Sequence, residues 1–305
     1  MWLIFAAVIS VMFILDICVF NRQSHEIRFR EALTWTLVWV GLALAFNGGV
    51  WYYLGHGKAL EFLTGYLIEE SLSVDNLFVF IMIFSYFRVS RAHQPKILKW
   101  GIIGALVMRA VFIVVGIELL EHFHWMVYIF GGILVYTGFK MAFGGDEEID
   151  PEHNLAVRLL RRVVPITKRI RGDRFFVRRR GILAATPLFL TLVVVETSDL
   201  IFAVDSIPAV LAVTRDPFIV YSSNVFAIMG LRSLYYLLAH VMEMFAYLKL
   251  GVSIILTFVG AKMLLVDLVE IPLHLSLGII VGTLTVSILA SITIAGKKPP
   301  KLPTR

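Results

Sequence analysis

The chain has 305 residues, 59% of them in the AVILMFWYC set and 16% charged, with a mean hydropathy of +0.84. Soluble domains carry about 25% charged residues, so a soluble globular class is excluded and little chain is left for an aqueous domain. Cys18 is the single cysteine, which excludes an internal disulfide and any thiolate cluster for zinc, copper or iron-sulfur. The net charge of +6 raises nucleic acid as a partner, but in a membrane chain the distribution of Lys and Arg among the loops is more informative.

A spanning helix takes about 20 apolar residues. Apolar runs at 1–20, 33–54, 62–87, 100–119, 125–144, 182–213, 218–241, 247–266 and 272–295 predict an all-α, polytopic membrane protein of nine spans. The first run has neither a basic n-region nor a small-residue cleavage pattern, so it reads as a retained span. Arg22, Arg28 and Arg30 follow the first span, and Arg88, Arg91, Lys96 and Lys99 follow the third. The loop 145–181 is rich in Arg, and the tail carries Lys297, Lys298, Lys301 and Arg305. The intervening loops hold little beyond Lys58 and Arg215. The positive-inside rule then puts the N-terminus outside and the C-terminus in the cytoplasm.

Arg178-Arg179-Arg180 resembles a nucleic-acid patch, but the same loop holds Asp146, Glu147, Glu148, Asp150, Glu152 and Asp173. It also lacks interleaved aromatics for base stacking. Contact with anionic lipid is the better expectation, and nucleic acid is not expected as a partner.

An internal repeat is visible. Residues 133–141 align with 255–263 through Ile, Leu, Gly, Lys and Met, and Met108-Arg109 parallels Leu231-Arg232. Glu69 with Val74-Asp75-Asn76 parallels Asp199 with Val204-Asp205-Ser206. Each unit is an acidic helix, a helix with one Arg, and a helix with Gly-x-Lys-Met, at about 62–144 and about 182–266. The flanking helices are 1–20, 33–54 and 272–295. An odd number of spans per unit predicts inverted topology within one transporter domain, with a site near the midplane between units.

A carboxylate at the bilayer centre costs about 2.5–3.5 kcal/mol even on the insertion scale, so intramembrane acids point to ion or proton paths. The third span carries Glu69, Glu70 and Asp75, and the sixth carries Glu196, Asp199 and Asp205. Ser71, Ser73, Asn76, Thr197, Ser198 and Ser206 surround them with neutral polar groups. Glu70 has no acidic counterpart at Leu200 and is left out of the core site. Oxygen ligands suit hard divalent cations such as Mn²⁺. At about 100° per residue, positions six apart differ by about 240°, so an unbroken helix cannot aim both acids of a pair at one point. Convergence requires unwound helices, and Pro187 and Pro208 flank the sixth span; a local break is expected. Arg109, Lys140, Arg232 and Lys262 could balance the acids structurally, but the six acids exceed these four bases by two, the charge of one divalent ion.

The stretch 69–80, Glu-Glu-Ser-Leu-Ser-Val-Asp-Asn-Leu-Phe-Val-Phe, the stretch 196–209 and the later Gly-x-Lys-Met resemble the TerC/Alx family of bacterial inner-membrane proteins over about 1–295. The resemblance implies a place in the LysE-type transporter superfamily, an inner-membrane location and Mn²⁺ export. The family's acids fall on Glu69, Asp75, Glu196, Asp199 and Asp205. Its name refers to tellurite resistance, and some members are described as redox modulators responding to alkaline pH; the intramembrane negative excess does not favour an oxyanion. The expected function is a secondary transporter exporting Mn²⁺, in possible exchange for protons, with no permanent cofactor. A non-transporting scaffold or a redox or stress-response modulator is the alternative. No Walker A pattern occurs, and no Gly-x-Gly-Asp of an intramembrane protease lies inside a span, so an enzyme is not expected.

Overall fold

The computed structural model describes residues 2–20, 29–143, 165–167, 174–179, 182–241, 247–269 and 271–294. Nine long helices appear among them: α1 (Trp2–Phe20), α2 (Phe29–Leu54), α3 (His56–Tyr86), α4 (Gln94–His122), α5 (Met126–Phe143), α6 (Pro187–Leu211), α7 (Pro217–Val241), α8 (Leu248–Leu264) and α9 (Leu273–Ile294). Five of them, α2, α4, α5, α6 and α9, are long and apolar enough to span a membrane on length and composition alone. Acids in the middle of α3 and the 17-residue length of α8 set those two apart.

Several boundaries differ from the apolar runs, and two of the differences have a visible cause. Helix α3 starts at His56 because Gly55 makes the whole turn from α2, with a φ of 88° that suits glycine. The sixth span begins at Pro187 rather than 182, because 182–185 is a strand. Strand β1 (Phe176–Arg179) pairs antiparallel with β2 (Ile182–Ala185), Phe176 opposite Ala185. Thr186 then ends the hairpin: its N–H donates to the Phe175 carbonyl and its hydroxyl to that of Arg174, each at 2.8 Å. Proline at the first position of α6 needs no N–H partner there. Phe175 packs edge-on to Trp100 and Phe189, tying the hairpin to the first turns of α4 and α6. Most of the loop 145–181 lies outside the described residues.

The contacts set helix directions. Helices α3 and α7 run parallel, with Gly65 beside Ser223 and Phe84 against Tyr235. Helices α4 and α6 also run parallel, with Gly101 beside Val195 and Gly116 beside Leu211. Helices α5 and α8 run antiparallel at very close range. A Cβ on Gly138 would lie 2.8 Å from the Ser253 carbonyl oxygen and 2.9 Å from the Thr257 nitrogen, and one on Gly260 would lie 2.7 Å from the Gly131 oxygen and 2.8 Å from the Val135 nitrogen. Small residues at such crossings let backbones approach where lipid offers no hydrophobic drive. On the outer side, Phe5, Phe46, Phe62, Phe218 and Phe226 join α1 and α2 to α3 and α7. Trp51, Tyr52, Tyr53, Trp100 and Trp125 are exposed near helix ends, as aromatic belts require, whereas Trp39 is buried.

Candidate functional site: a buried ion-paired centre

Four helices each send one polar side chain to the centre of the bundle. Arg109 of α4 is fully buried and ion-pairs with Glu69 of α3, itself fully buried. Its Nη2 also lies 3.5 Å from Oδ1 of Asp199 on α6. Asn224 of α7 donates its Nδ2 to Glu69 Oε2 at 3.0 Å. An arginine is tolerated here because carboxylates from two sides compensate it; without them the desolvation cost would stand alone.

Glu196 lies one turn before Asp199 on the same face of α6. Its carboxylate is seated against Gly104 of α4, where any Cβ would overlap it. Glu196 and Asp199 line a narrow cleft with Phe80, Leu98, Gly101 and Ala105, whose free space of about 10 Å³ accommodates roughly one water-sized sphere. At the centre, Asp199 Oδ2 and Asn224 Oδ1 have no hydrogen-bond partner, and further along the two acidic helices neither do Ser73 Oγ and Asn76 Nδ2 on α3 or Ser206 Oγ on α6. Buried groups of this kind are normally satisfied, so the two free oxygens at the centre call for an occupant or for a second conformation.

Helix α6 is continuous from Pro187 to Leu211 and α3 from His56 to Tyr86, which corrects the expectation of a local break. The i→i−4 ladder carries on through the acids, and Pro208 lies close enough to the end of α6 for the helix to absorb it. The acids of α6 therefore separate by face. Asp205 is half-buried and accepts a hydrogen bond from Thr137 Oγ1 of α5 at 2.9 Å, away from Arg109. The side chain of Asp75 lies outside the described residues. Glu69 and Asp199 are thus gathered around Arg109, Glu196 lies beside Asp199 in the cleft, and Asp205 bonds elsewhere. Among the described residues, no three acidic, His or Cys side chains are grouped as a metal cage.

Of the bases expected to balance the acids, Arg109 bridges two of them, Glu69 and Asp199. Lys140 is exposed on α5, one turn beyond Thr137, where its charge acts on Asp205. Arg232 is buried on α7 beside Tyr236. Lys262 donates to Ser276 Oγ of α9 at 3.0 Å, so it does not serve the centre. It borders a separate cavity of about 470 Å³ at the end of the bundle where α3 and α7 begin. There Lys58 joins Glu61 at 2.8 Å to Asp216 at 3.2 Å. Thr197 and Ser198 are turned onto their own helix, donating to the carbonyls of Val193 and Val194.

Asn224, Gly104 and Thr137 escaped the sequence reading. Asn224 had a signal, the polar run Ser222-Ser223-Asn224 inside an otherwise apolar helix; a lone glycine such as Gly104 had none.

This fold and centre define a polytopic helical membrane protein with paired charges held inside its helical bundle. The chain belongs to the TerC family: the family model described as "Integral membrane protein TerC family" matches residues 54–299. It is 49% identical over 292 residues to "Uncharacterized membrane protein STKORF319" of Myxococcus xanthus, covering 96% of this chain and 92% of that one. It is 45% identical over 311 residues to "Putative membrane-bound redox modulator Alx" of Salmonella typhi, covering 99% and 97%, and 48% identical over 296 residues to the protein of the same name in Escherichia coli K12, covering 94% and 92%. No solved structure matches the chain.

Proposed function

We propose that this protein is a secondary transporter that exports Mn²⁺ across the bacterial inner membrane, in exchange for protons carried by the same carboxylates. One observation carries the reading: Glu69 and Asp199, matched acids of the two sequence units, meet across a single buried guanidinium, with Glu196 beside them. Such a centre is costly unless it works on charge. Arg109 stands where a cation fits, and its displacement by Mn²⁺ gives the ion carboxylate oxygens and the partnerless oxygens of Asp199 and Asn224. The reciprocal contacts of α5 and α8 support an inverted pair of three-helix units. Asp205 and Asp75 lie further along the same two helices and serve as later stations for the ion. The cargo is the only metal required, and the protein is a carrier rather than an enzyme.

The N-terminus is periplasmic and the C-terminus cytoplasmic in this reading. The basic loop 145–181 meets anionic headgroups on the cytoplasmic side, supported by Arg174 and Arg178 on the exposed edge of the hairpin. Purified protein in liposomes with an internal Mn²⁺-quenched dye tests the function: Mn²⁺ flux that falls when Glu196 is changed to Gln is expected, and no flux from wild type overturns it.

The printed name of several relatives favours a second reading, a redox modulator. A single cysteine gives this chain no dithiol of its own, so that role runs through a partner or indirectly through metal balance. A Cys18→Ser variant with full activity in cells would leave only the indirect route.

A further inference from the structure

We propose that the cleft between α4 and α6 is the path by which the cation is loaded, with Glu196 on Gly104 as its first carboxylate and Arg109 as the plug at its inner end. The inference rests on the transporter reading above and assigns its direction and order.

The cleft is one-sided for a reason visible in the two arginine helices. Asn224 lies eight residues before Arg232, and Gly101 lies eight residues before Arg109. On α7 that position carries an amide that fills the space beside Glu69 and bonds to it at 3.0 Å. On α4 the matched position has no side chain, and the space beside Asp199 is open as the wall of the cleft. Two units with the same plan thus close one flank of the centre and open the other.

Chemistry follows the same gradient. Glu196 and Asp199 line the cleft and share a face of the unbroken α6, whereas Glu69 lies behind Arg109. Asp199 is buried and divided: Oδ1 faces the Arg109 guanidinium, and Oδ2 has no hydrogen-bond partner. An ion held by Glu196 one turn away competes with the guanidinium for Asp199. Arg109 keeps Glu69 when it gives up Asp199, so the plug loosens without being left alone. The lining also includes Leu98 near the start of α4 and Phe80 near the end of α3, so from Asp199 and Glu196 the cleft extends toward the end of the bundle that bears the hairpin.

Gly104 is then a positioning residue, required because it has no Cβ. The test uses the full-length protein in vesicles oriented with loop 145–181 outward, as verified by protease, and reads Mn²⁺ uptake against outside Mn²⁺. Gly104→Ala should raise half-saturating Mn²⁺ about ten-fold while maximal rate stays within about two-fold. Glu196→Asp alone should also weaken loading. The double variant Gly104→Ala/Glu196→Asp should regain affinity, because the shorter acid clears the new methyl. Gly101→Asn, which copies the closed flank, should lower the rate at every Mn²⁺ concentration; a Cβ there meets only Val195, at 3.5 Å. Gly132→Ala, in open space on α5, should behave as wild type.

Unchanged half-saturation in Gly104→Ala, or effects of Gly104→Ala and Glu196→Asp that merely add, overturns the loading path while wild-type flux keeps the transporter reading. Wild-type protein that moves no Mn²⁺ overturns both. Should Gly104→Ala fail to reach the membrane, Glu196→Gln decides: normal half-saturation there overturns the path.

Discussion

Gly138 and Gly260 stand in reciprocal positions, each pressed against the backbone of the helix that carries the other. In the register that aligns 133–141 with 255–263, the Ser253 and Thr257 atoms facing Gly138 are counterparts of the Gly131 and Val135 atoms facing Gly260. The contact is isologous within one chain, so neither side can be widened without widening both.

Gly138→Ala and Gly260→Ala should therefore destabilise the protein by similar amounts, about 1–3 kcal/mol each from overpacking. The measurement is the thermal midpoint in detergent beside Gly132→Ala, whose added methyl meets nothing within 4 Å. Unequal losses would show that the reciprocity is only geometric.

Arg109 is a second structural pivot. Arg109→Gln leaves the fully buried Glu69 without its counter-charge, which should cost about 3–5 kcal/mol and reduce the protein in the membrane. Arg109→Gln/Glu69→Gln should restore much of that abundance and none of the transport. Quantitative blotting of membranes, paired with Mn²⁺ flux, reads both.

The acids should divide by environment. Asp205→Asn keeps the hydrogen bond from Thr137 and strands no buried arginine, so it should preserve abundance and abolish efflux; Asp75→Asn is expected to match it. Glu69→Gln should lower abundance as well as efflux. Normal efflux in all of these would refute the site.

Oxygen ligands without thiols predict a preference for Mn²⁺ over Zn²⁺ and Cu²⁺, against the Irving-Williams order of an unconstrained site. Competition in the liposome assay checks this. Cells lacking the protein should also hold more manganese under manganese stress.

Alternating basic loops predict a cytoplasmic reporter signal after Arg305 and a periplasmic one near Lys58. A periplasmic C-terminus would remove the inverted arrangement.

Helix number and order were legible because nine apolar runs leave few alternatives, and the acid helices stood out by the cost of charge in lipid. The pairing of Arg109 with both Glu69 and Asp199 was not legible, since it depends on how α4 packs against α6. Nor was the continuity of α6: prolines at its ends suggested a break, yet Pro187 occupies the first turn and Pro208 the last. The hairpin was missed because Ile182 to Ala185 continue the apolar run of α6, and only pairing with 176–179 marks them as a strand. Asp205 was grouped with Asp199 by sequence kinship, whereas 240° of rotation on a straight helix, at about 100° per residue, sends them to different neighbours.

The buried centre also has an electrical meaning. Glu69 and Asp199 flank Arg109 and Glu196 lies beside Asp199; when all three carboxylates are ionised, they and one guanidinium carry a charge of minus two, equal and opposite to that of Mn²⁺. The loaded carrier is then electrically silent and the empty one is not. In the proposed exchange two protons ride back on the same carboxylates and make the return silent as well, so the membrane voltage, worth about 2.3 kcal/mol per unit charge moved across 100 mV, acts on neither limb.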